Sequence, residues 1–176
     1  MSDRKPPFRG SRGKPSDRGR PARGAAWRER DQDRDGPVVL YGWHTVTLAL
    51  QNPNRHFRRL LVTENAARRL AEDGIKPPIA PEIVRPGQID AALGPDAVHQ
   101  GLWAEADALP SPDLAALPQD GIVLVLDQIT DPHNVGAILR SAAAFAVRAI
   151  VTTARHSPEA TGVLAKAASG ALELVP

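Results

Sequence analysis

The residues of this 176-residue chain best equipped for chemistry lie between positions 127 and 140: Asp127, Gln128, Thr130, Asp131, His133, Asn134 and Arg140. Arg140 is the sharpest of them, because it is the only charge between His133 and Val147 and its neighbours Gly136, Ala137, Ala143 and Ala144 are small. A guanidinium set among alanines and glycine points to a specific anionic partner, a carboxylate or a phosphate, gripped through its planar fork of donors. The other reading is a solvated arginine at mid-helix. Asp127, Asp131 and His133 have a spacing that suggests a cation site. Helix capping already accounts for Asp131, however, and a hard cation needs more convergent oxygens, so no metal is expected. Neither G-x-G-x-x-G nor G-x-x-x-x-G-K-S/T occurs, which excludes the ordinary nucleotide turns.

These residues need a strand and a helix to hold them. Ile122 to Leu126 is an unbroken run of apolar residues with no polar alternation, the pattern of a strand buried on both faces. Asp131 then stands at an N-cap position and Pro132 at the first helical position, where a missing N–H costs nothing. At 100° per residue Val135, Ile138, Leu139, Ala142 and Ala146 form one stripe, with His133, Ala137, Arg140 and Ala144 opposite. The polar residues thus crown the carboxyl end of a buried strand, where open α/β sheets place ligands. The order continues as a strand over 148 to 153, a helix over 158 to 169 introduced by Ser157-Pro158 and stopped by Gly170, and a strand over 171 to 175. Such a β-α-β-α-β run with right-handed crossovers predicts a parallel sheet. Three strands and two helices leave an open edge and an uncovered apolar face, so the chain reads as cut short.

The pattern D-x-x-x-D-P-x-N-x-G-A-x-x-R-S/T-A, here Asp127, Asp131, Pro132, Asn134, Gly136, Ala137, Arg140, Ser141 and Ala142, resembles the first signature motif of the SpoU-type (SPOUT class) RNA ribose 2′-O-methyltransferases. Tyr41-Gly42-Trp43-His44-Thr45-Val46 and Val98-His99-Gln100-Gly101-Leu102 resemble the branch of that family that modifies a guanosine of large-subunit ribosomal RNA. The resemblance covers residues 37 to 176. It implies S-adenosylmethionine as donor, Arg140 as the catalytic residue that makes the ribose hydroxyl more nucleophilic, a homodimer, and a methyltransferase domain of the trefoil-knot type. Arginine hardly ever loses its proton, so Arg140 is read as holding an RNA phosphate and stabilising the forming oxyanion. Asn134 either orients the ribose or caps the helix. The family's second and third motifs, which bind the donor, are expected beyond Pro176, so no donor-binding residue is assigned within the chain and the knot-forming part is expected outside it. Lys166, Ser169 and Gly170 also resemble a recurring family segment. Lys166 is a candidate contact to RNA or to an acidic neighbour, and Gly170 reads as a helix stop. The small-residue face of the 132 to 146 helix suits a close contact between subunits, or packing within one.

Upstream, a folded unit runs from about Val38 to Leu109. Its periodicity predicts helices over 43 to 50, 65 to 72 and 89 to 93 and strands over 57 to 63, 83 to 84 and 101 to 106, an α-β-α-β-α-β order that makes a small three-layer domain. By the same resemblance this module is similar to small α/β ribosomal RNA-binding proteins. Arg55, Arg58 and Arg59, with His56, cluster at a strand's start and are candidate RNA phosphate contacts, as are Arg68 and Arg69 more weakly; a solvated charge cluster is the alternative. His44 and His99 read as structural histidines. The organisation is therefore a basic tail over 1–36, an RNA-binding domain over 37–109, a proline-rich linker over 110–120 and the N-terminal part of a methyltransferase domain over 121–176.

Composition sets the outer limits. With no cysteine, disulfides and thiolate metal sites are excluded. Apolar content of 42% with only 4% aromatic gives an alanine, leucine and valine core suited to α/β packing. No apolar run approaches a membrane span, and a cytoplasmic protein without a membrane partner is expected. The net charge of +2 conceals an asymmetry, since residues 1–36 carry 11 Lys or Arg against 6 Asp or Glu while the remainder is net acidic. The tail, with four Arg-Gly pairs between Phe8 and Trp27, is expected to be disordered and to touch RNA in a salt-sensitive way, or simply to solubilise. The function expected is S-adenosylmethionine-dependent methylation of a ribose 2′-hydroxyl in ribosomal RNA. The alternative is a noncatalytic RNA-binding or ribosome-assembly protein on the same scaffold, and a nucleotide-binding regulator is a weaker third.

Overall fold

Residues Pro37–Tyr41 form a strand, β1, where the sequence reading placed only the start of a folded unit. The five residues PVVLY are β-formers, and their proline is tolerated because β1 lies at a sheet edge. A computed structural model describes residues 36–117, 119–153 and 157–176. The expected tail therefore lies outside the described residues, apart from Gly36. After β1 come α1 (Trp43–Gln51), β2 (Phe57–Val62), α2 (Glu64–Glu72), β3 (Glu82–Ile83), α3 (Pro86–Leu93) and β4 (Leu102–Asp107). A 3-10 turn at Leu114–Ala116 precedes β5 (Val123–Leu126), α4 (Pro132–Ala144), β6 (Ala149–Thr152), α5 (Gly162–Ala168) and a 3-10 turn at Ala171–Glu173.

The first sheet runs β1-β4-β2-β3, antiparallel except for the parallel pair β2 and β3. Because side chains alternate along a strand, it buries two different sets. Val38, Leu40, Leu60, Val62, Leu102 and Ala104 face α1 and α2. On the other side Leu61 and Trp103 pack with Ile89 of α3, flanked by Val39 and Tyr41. The three layers expected from the sequence are present. α3 begins three residues before the expected Ile89, because Pro86 occupies its first turn and the Gln88 side chain accepts the Arg85 N–H at 3.1 Å.

β5 and β6 form a second, parallel pair in register Val123↔Ala149 to Leu126↔Thr152. Leu126, Val135, Leu139, Ala142, Leu164 and Ala168 are buried together, so α4 and α5 cover one face. Ile122, Val123 and Val125 are exposed, which corrects the expectation of a strand buried on both faces. An apolar run dictates the strand, but only neighbouring elements decide how many faces are covered.

Two further expectations fail. The helix expected from Ser157-Pro158 starts only at Gly162, because Thr161 is engaged elsewhere: its hydroxyl accepts from Val39 N at 2.8 Å and donates to Val39 O at 3.1 Å. That satisfies backbone groups at the edge of β1. The expected strand over 171 to 175 is instead a 3-10 turn. Ser169 and Gly170, with φ of 49° and 88°, turn the chain against α1, and a Cβ at Gly170 would lie 2.3 Å from Leu48 Cδ1.

α5 and the final turn tie the two sheets together. Thr45 donates to Ala165 O at 3.1 Å. Glu173, in the turn, accepts from Arg55 Nη2 at 2.6 Å and Nε at 3.2 Å and from Asn52 Nδ2 at 2.7 Å. Among the described residues no helix is long and apolar enough to cross a membrane.

Candidate functional site

The crest at the end of β5 is built as its sequence demands. Asp131 caps α4, its Oδ1 accepting from His133 N at 2.9 Å, and Pro132 occupies the first turn. Asn134 is thereby relieved of the capping role that was its alternative, and it stands exposed in the first turn beside exposed His133, Asp127 and Gln128. Gln128 adopts a left-handed φ of 56°, turning the chain between strand and helix. Among the described residues no three His, Asp or Glu converge as a metal site.

Arg140 is exposed on α4 and donates through Nη1 to the carbonyl of Ala167 on α5. No carboxylate pairs with it among the described residues. The close approach of α4 and α5 permits this contact: a Cβ at Gly136 would meet Ala167 Cβ at 2.6 Å and the Ala167 carbonyl carbon at 2.8 Å. Packing within one chain thus explains Gly136, whereas Ala144 on the same flank is exposed. One donor of the guanidinium is occupied, and the outward ones face solvent.

A second convergence was not anticipated. The stretches 41–46 and 98–102, distant in sequence, meet where Trp43 N donates to Gln100 Oε1 at 2.9 Å. Lys166 Nζ donates to the same oxygen at 3.1 Å, and its side chain lies over Gly42. Partial burial lowers the Lys166 pKa from the usual lysine value. Beside this node opens a cleft of about 330 Å³ lined by Trp43, Thr63, Asn65, Arg69, His99 and Gln100. The Arg69 guanidinium lies 3.8 Å above the Trp43 ring centroid, a cation–π contact. Thr63 caps α2 by accepting from Ala66 N at 3.4 Å. Gln100 belonged to a stretch that family likeness singled out, yet nothing in the sequence said that its amide would bind both Trp43 and Lys166.

The arginine cluster divides. Arg55 is buried and ion-paired to Glu173, with both side chains 3% exposed, and its Nη1 donates to Asp107 O at 2.8 Å. No phosphate can reach it, so its assignment as an RNA contact is corrected to a structural one. Arg58 and Arg59 are exposed, bonded to Asp107 Oδ1 at 2.6 Å and bidentately to Glu82 at 2.8 and 2.7 Å. The hydrogen bond from Arg59 holds the Glu82 carboxyl below its ordinary range and raises the arginine in return. His99 is structural as expected, bridging Asp90 Oδ1 at 3.1 Å and Gly101 N at 3.0 Å, whereas His44 is exposed on α1.

Two clefts, the one above and one lined by Arg59, Leu61, Glu82, Gln88 and Trp103, lie in the module between residues 43 and 103. The described residues around Arg140 leave its guanidinium exposed on the outer side of α4. What they can do is grip an anionic acceptor.

Two family descriptions match the chain: RNA 2′-O ribose methyltransferase substrate binding over residues 39–112, and the SpoU rRNA Methylase family over 121–176. Among curated relatives, a 23S rRNA (guanosine-2′-O-)-methyltransferase RlmB of Ralstonia nicotianae is 35% identical over 147 residues, covering 78% of this chain and 59% of that protein. The RlmB of Yersinia pestis is 32% identical over 152 residues, covering 78% and 60%. The chain spans about three fifths of the length of the curated relatives it matches. Of solved structures, the SpoU methyltransferase AviRb from Streptomyces viridochromogenes in complex with AdoMet superposes with a TM-score of 0.62 at 22% identity, covering 89% of this chain and 62% of that one. An AdoMet-bound rRNA methyltransferase from Sinorhizobium meliloti gives 0.59 at 24%, covering 85% and 56%. At these identities the structural likeness speaks to the mixed α/β fold.

Proposed function

We propose that this chain, which belongs to the SpoU rRNA methylase family, methylates the ribose 2′-hydroxyl of a guanosine in large-subunit ribosomal RNA, with S-adenosylmethionine as the methyl donor. The observation that carries the reading is Arg140: exposed on α4, fixed by the Ala167 carbonyl and paired with no carboxylate among the described residues. Methyl transfer to a ribose oxygen needs that oxygen positioned and its growing charge stabilised. A guanidinium keeps its proton at any working pH, so Arg140 acts by donating hydrogen bonds to an RNA phosphate and to the incipient 2′-oxyanion. Asn134, freed from capping by Asp131, offers an amide that orients the ribose. S-adenosylmethionine supplies the electrophilic methyl group when bound, and the residues described here serve the acceptor side.

The same reading assigns RNA binding to the module over 37–109, with Arg58, Arg59 and Lys166 as contacts, a linker at 110–120, and the start of a trefoil-knot methyltransferase domain at 121–176. It takes the basic tail over 1–36 as a further, salt-sensitive contact to RNA. It takes the protein as a cytoplasmic homodimer from family likeness; packing against α5 accounts for Gly136 on the small flank of α4, and exposed Ala144 leaves room there for a second subunit.

Arg140→Ala in the intact enzyme tests the proposal. With a 23S rRNA transcript and labelled donor, methyl incorporation falls by about 10²- to 10³-fold, the scale for removing an oxyanion donor, while RNA affinity is largely kept. Undiminished methylation in the variant refutes the role of Arg140. RNA binding by the wild type without methyl incorporation favours the noncatalytic RNA-binding alternative.

A further inference from the structure

Three stretches that are far apart in the sequence, 41–46, 98–102 and 166–171, meet at one side chain. Gln100 sits at φ 55°, in the left-handed region that a residue with a Cβ seldom occupies, and such a conformation persists where surrounding contacts over-determine it. Here its Oε1 accepts from Trp43 N at 2.9 Å and from Lys166 Nζ at 3.1 Å. On its way Lys166 lies over the bare Cα of Gly42, where a Cβ would stand 2.3 Å from Nζ and 2.9 Å from Cδ and would displace the lysine from this path. The next residue, Ala167, gives its carbonyl to Arg140 and fills the space a side chain at Gly136 would need. Gln100 also lines the cleft of the RNA-binding module with Trp43, Thr63, Asn65 and Arg69. With its oxygen committed to two donors, the amide Nε2 is the group left for a ligand in that cleft.

We propose that Gln100 is a positioning residue for methyl transfer, which through Lys166 and Ala167 sets the pose of Arg140 and relays to it the occupancy of the module's cleft by RNA. The inference rests on the reading of Arg140 given above. It differs from a plain RNA contact in where the effect falls, since a contact changes affinity whereas a positioning residue changes turnover with RNA already bound.

The test uses the intact enzyme, a 23S rRNA transcript and an amine-acylating reagent whose adducts are located by mass spectrometry. Gln100→Ala lowers kcat about tenfold, as small misplacements of a positioned group do, and leaves the RNA Kd within about twofold. It also raises acylation of Lys166 severalfold, and bound RNA, which alters Lys166 acylation in the wild type, no longer does so in the variant. Gln100→Glu keeps an acceptor for both donors and restores Lys166 protection in the absence of RNA, but it has no amide N–H for the cleft, so bound RNA no longer alters Lys166 acylation in it. Lys166→Met leaves the Gln100 to Trp43 contact in place and lowers kcat as Gln100→Ala does, which keeps the test open should the alanine variant fail to fold. Unchanged kcat in Lys166→Met, unchanged Lys166 acylation in Gln100→Ala, or a defect confined to RNA Kd overturns the proposal. Arg140→Ala in parallel separates the two readings: normal turnover there removes the role of Arg140, whereas a dead Arg140→Ala beside normal Gln100 and Lys166 variants removes only the coupling.

Discussion

The two sheets of this chain are made from similar strands and end in opposite environments. In the four-stranded sheet the run Val38 to Tyr41 divides its side chains between two cores, and Leu40 is fully buried. In the two-stranded sheet the equally apolar run Val123 to Leu126 buries Leu126 but leaves Val125 72% exposed. The first sheet has helices on both faces, whereas α4 and α5 stand together on one face of the second. The comparison teaches that β-propensity reports a strand and says nothing of its cover. The seam between the two regions is polar where it matters, through Arg55–Glu173, Thr161 on the edge of β1, and Lys166 on Gln100.

The sharpest way to break this picture is at the buried ion pair. Glu173→Ala leaves Arg55 charged in the interior without its counter-ion, holding only the Asp107 carbonyl, at a cost of about 3–5 kcal/mol, measurable by urea unfolding. Hydrogen exchange then shows protection lost in both sheets, and loss confined to residues 123–176 would mean that the two regions are stable independently. Next in size is the contrast between strands. Leu40→Ala costs about 2–5 kcal/mol, while Val125→Thr stays within about 0.5 kcal/mol, and a large effect of the second substitution would show that the exposed face is covered in solution. The smallest effect is at Arg59. Its pair with Glu82 lies in solvent and holds that carboxyl below its ordinary range. The stability it adds is therefore present above the usual carboxylate pKa and lost as pH falls through the lowered one. Arg59→Ala changes Tm only slightly at neutral pH and low salt, and the difference from wild type vanishes in acid or at about 1 M salt. A difference that survives both conditions would move Arg59 from the solvated class to that of Arg55.

Much of the candidate site was legible because its signals are local. Asp131-Pro132 set the start of α4, and the lone Arg140 among small residues pointed to a guanidinium that the fold leaves exposed. Local signals also misled. Ser157-Pro158 has the form of a helix start, but Thr161 is bound to Val39 and the helix begins after it. Arg55 looked like Arg58 and Arg59, and only the turn at Gly170, 115 positions away in the chain, brings the carboxylate that buries it. The edge strand β1 was not legible because the four-residue apolar run after Gly36-Pro37 carries little periodicity.

Taken alone, the sequence determined the α/β class, the cap and first turn of α4, the lone arginine on its outer side, and the glycines that let backbones touch, because each depends on residues within a few positions. Only the tertiary structure decided which charges are buried, which strand faces are covered, and that Gln100 receives both Trp43 and Lys166. Those outcomes depend on pairings across 57 to 122 residues, where the partner is chosen by how the layers close rather than by any pattern along the chain.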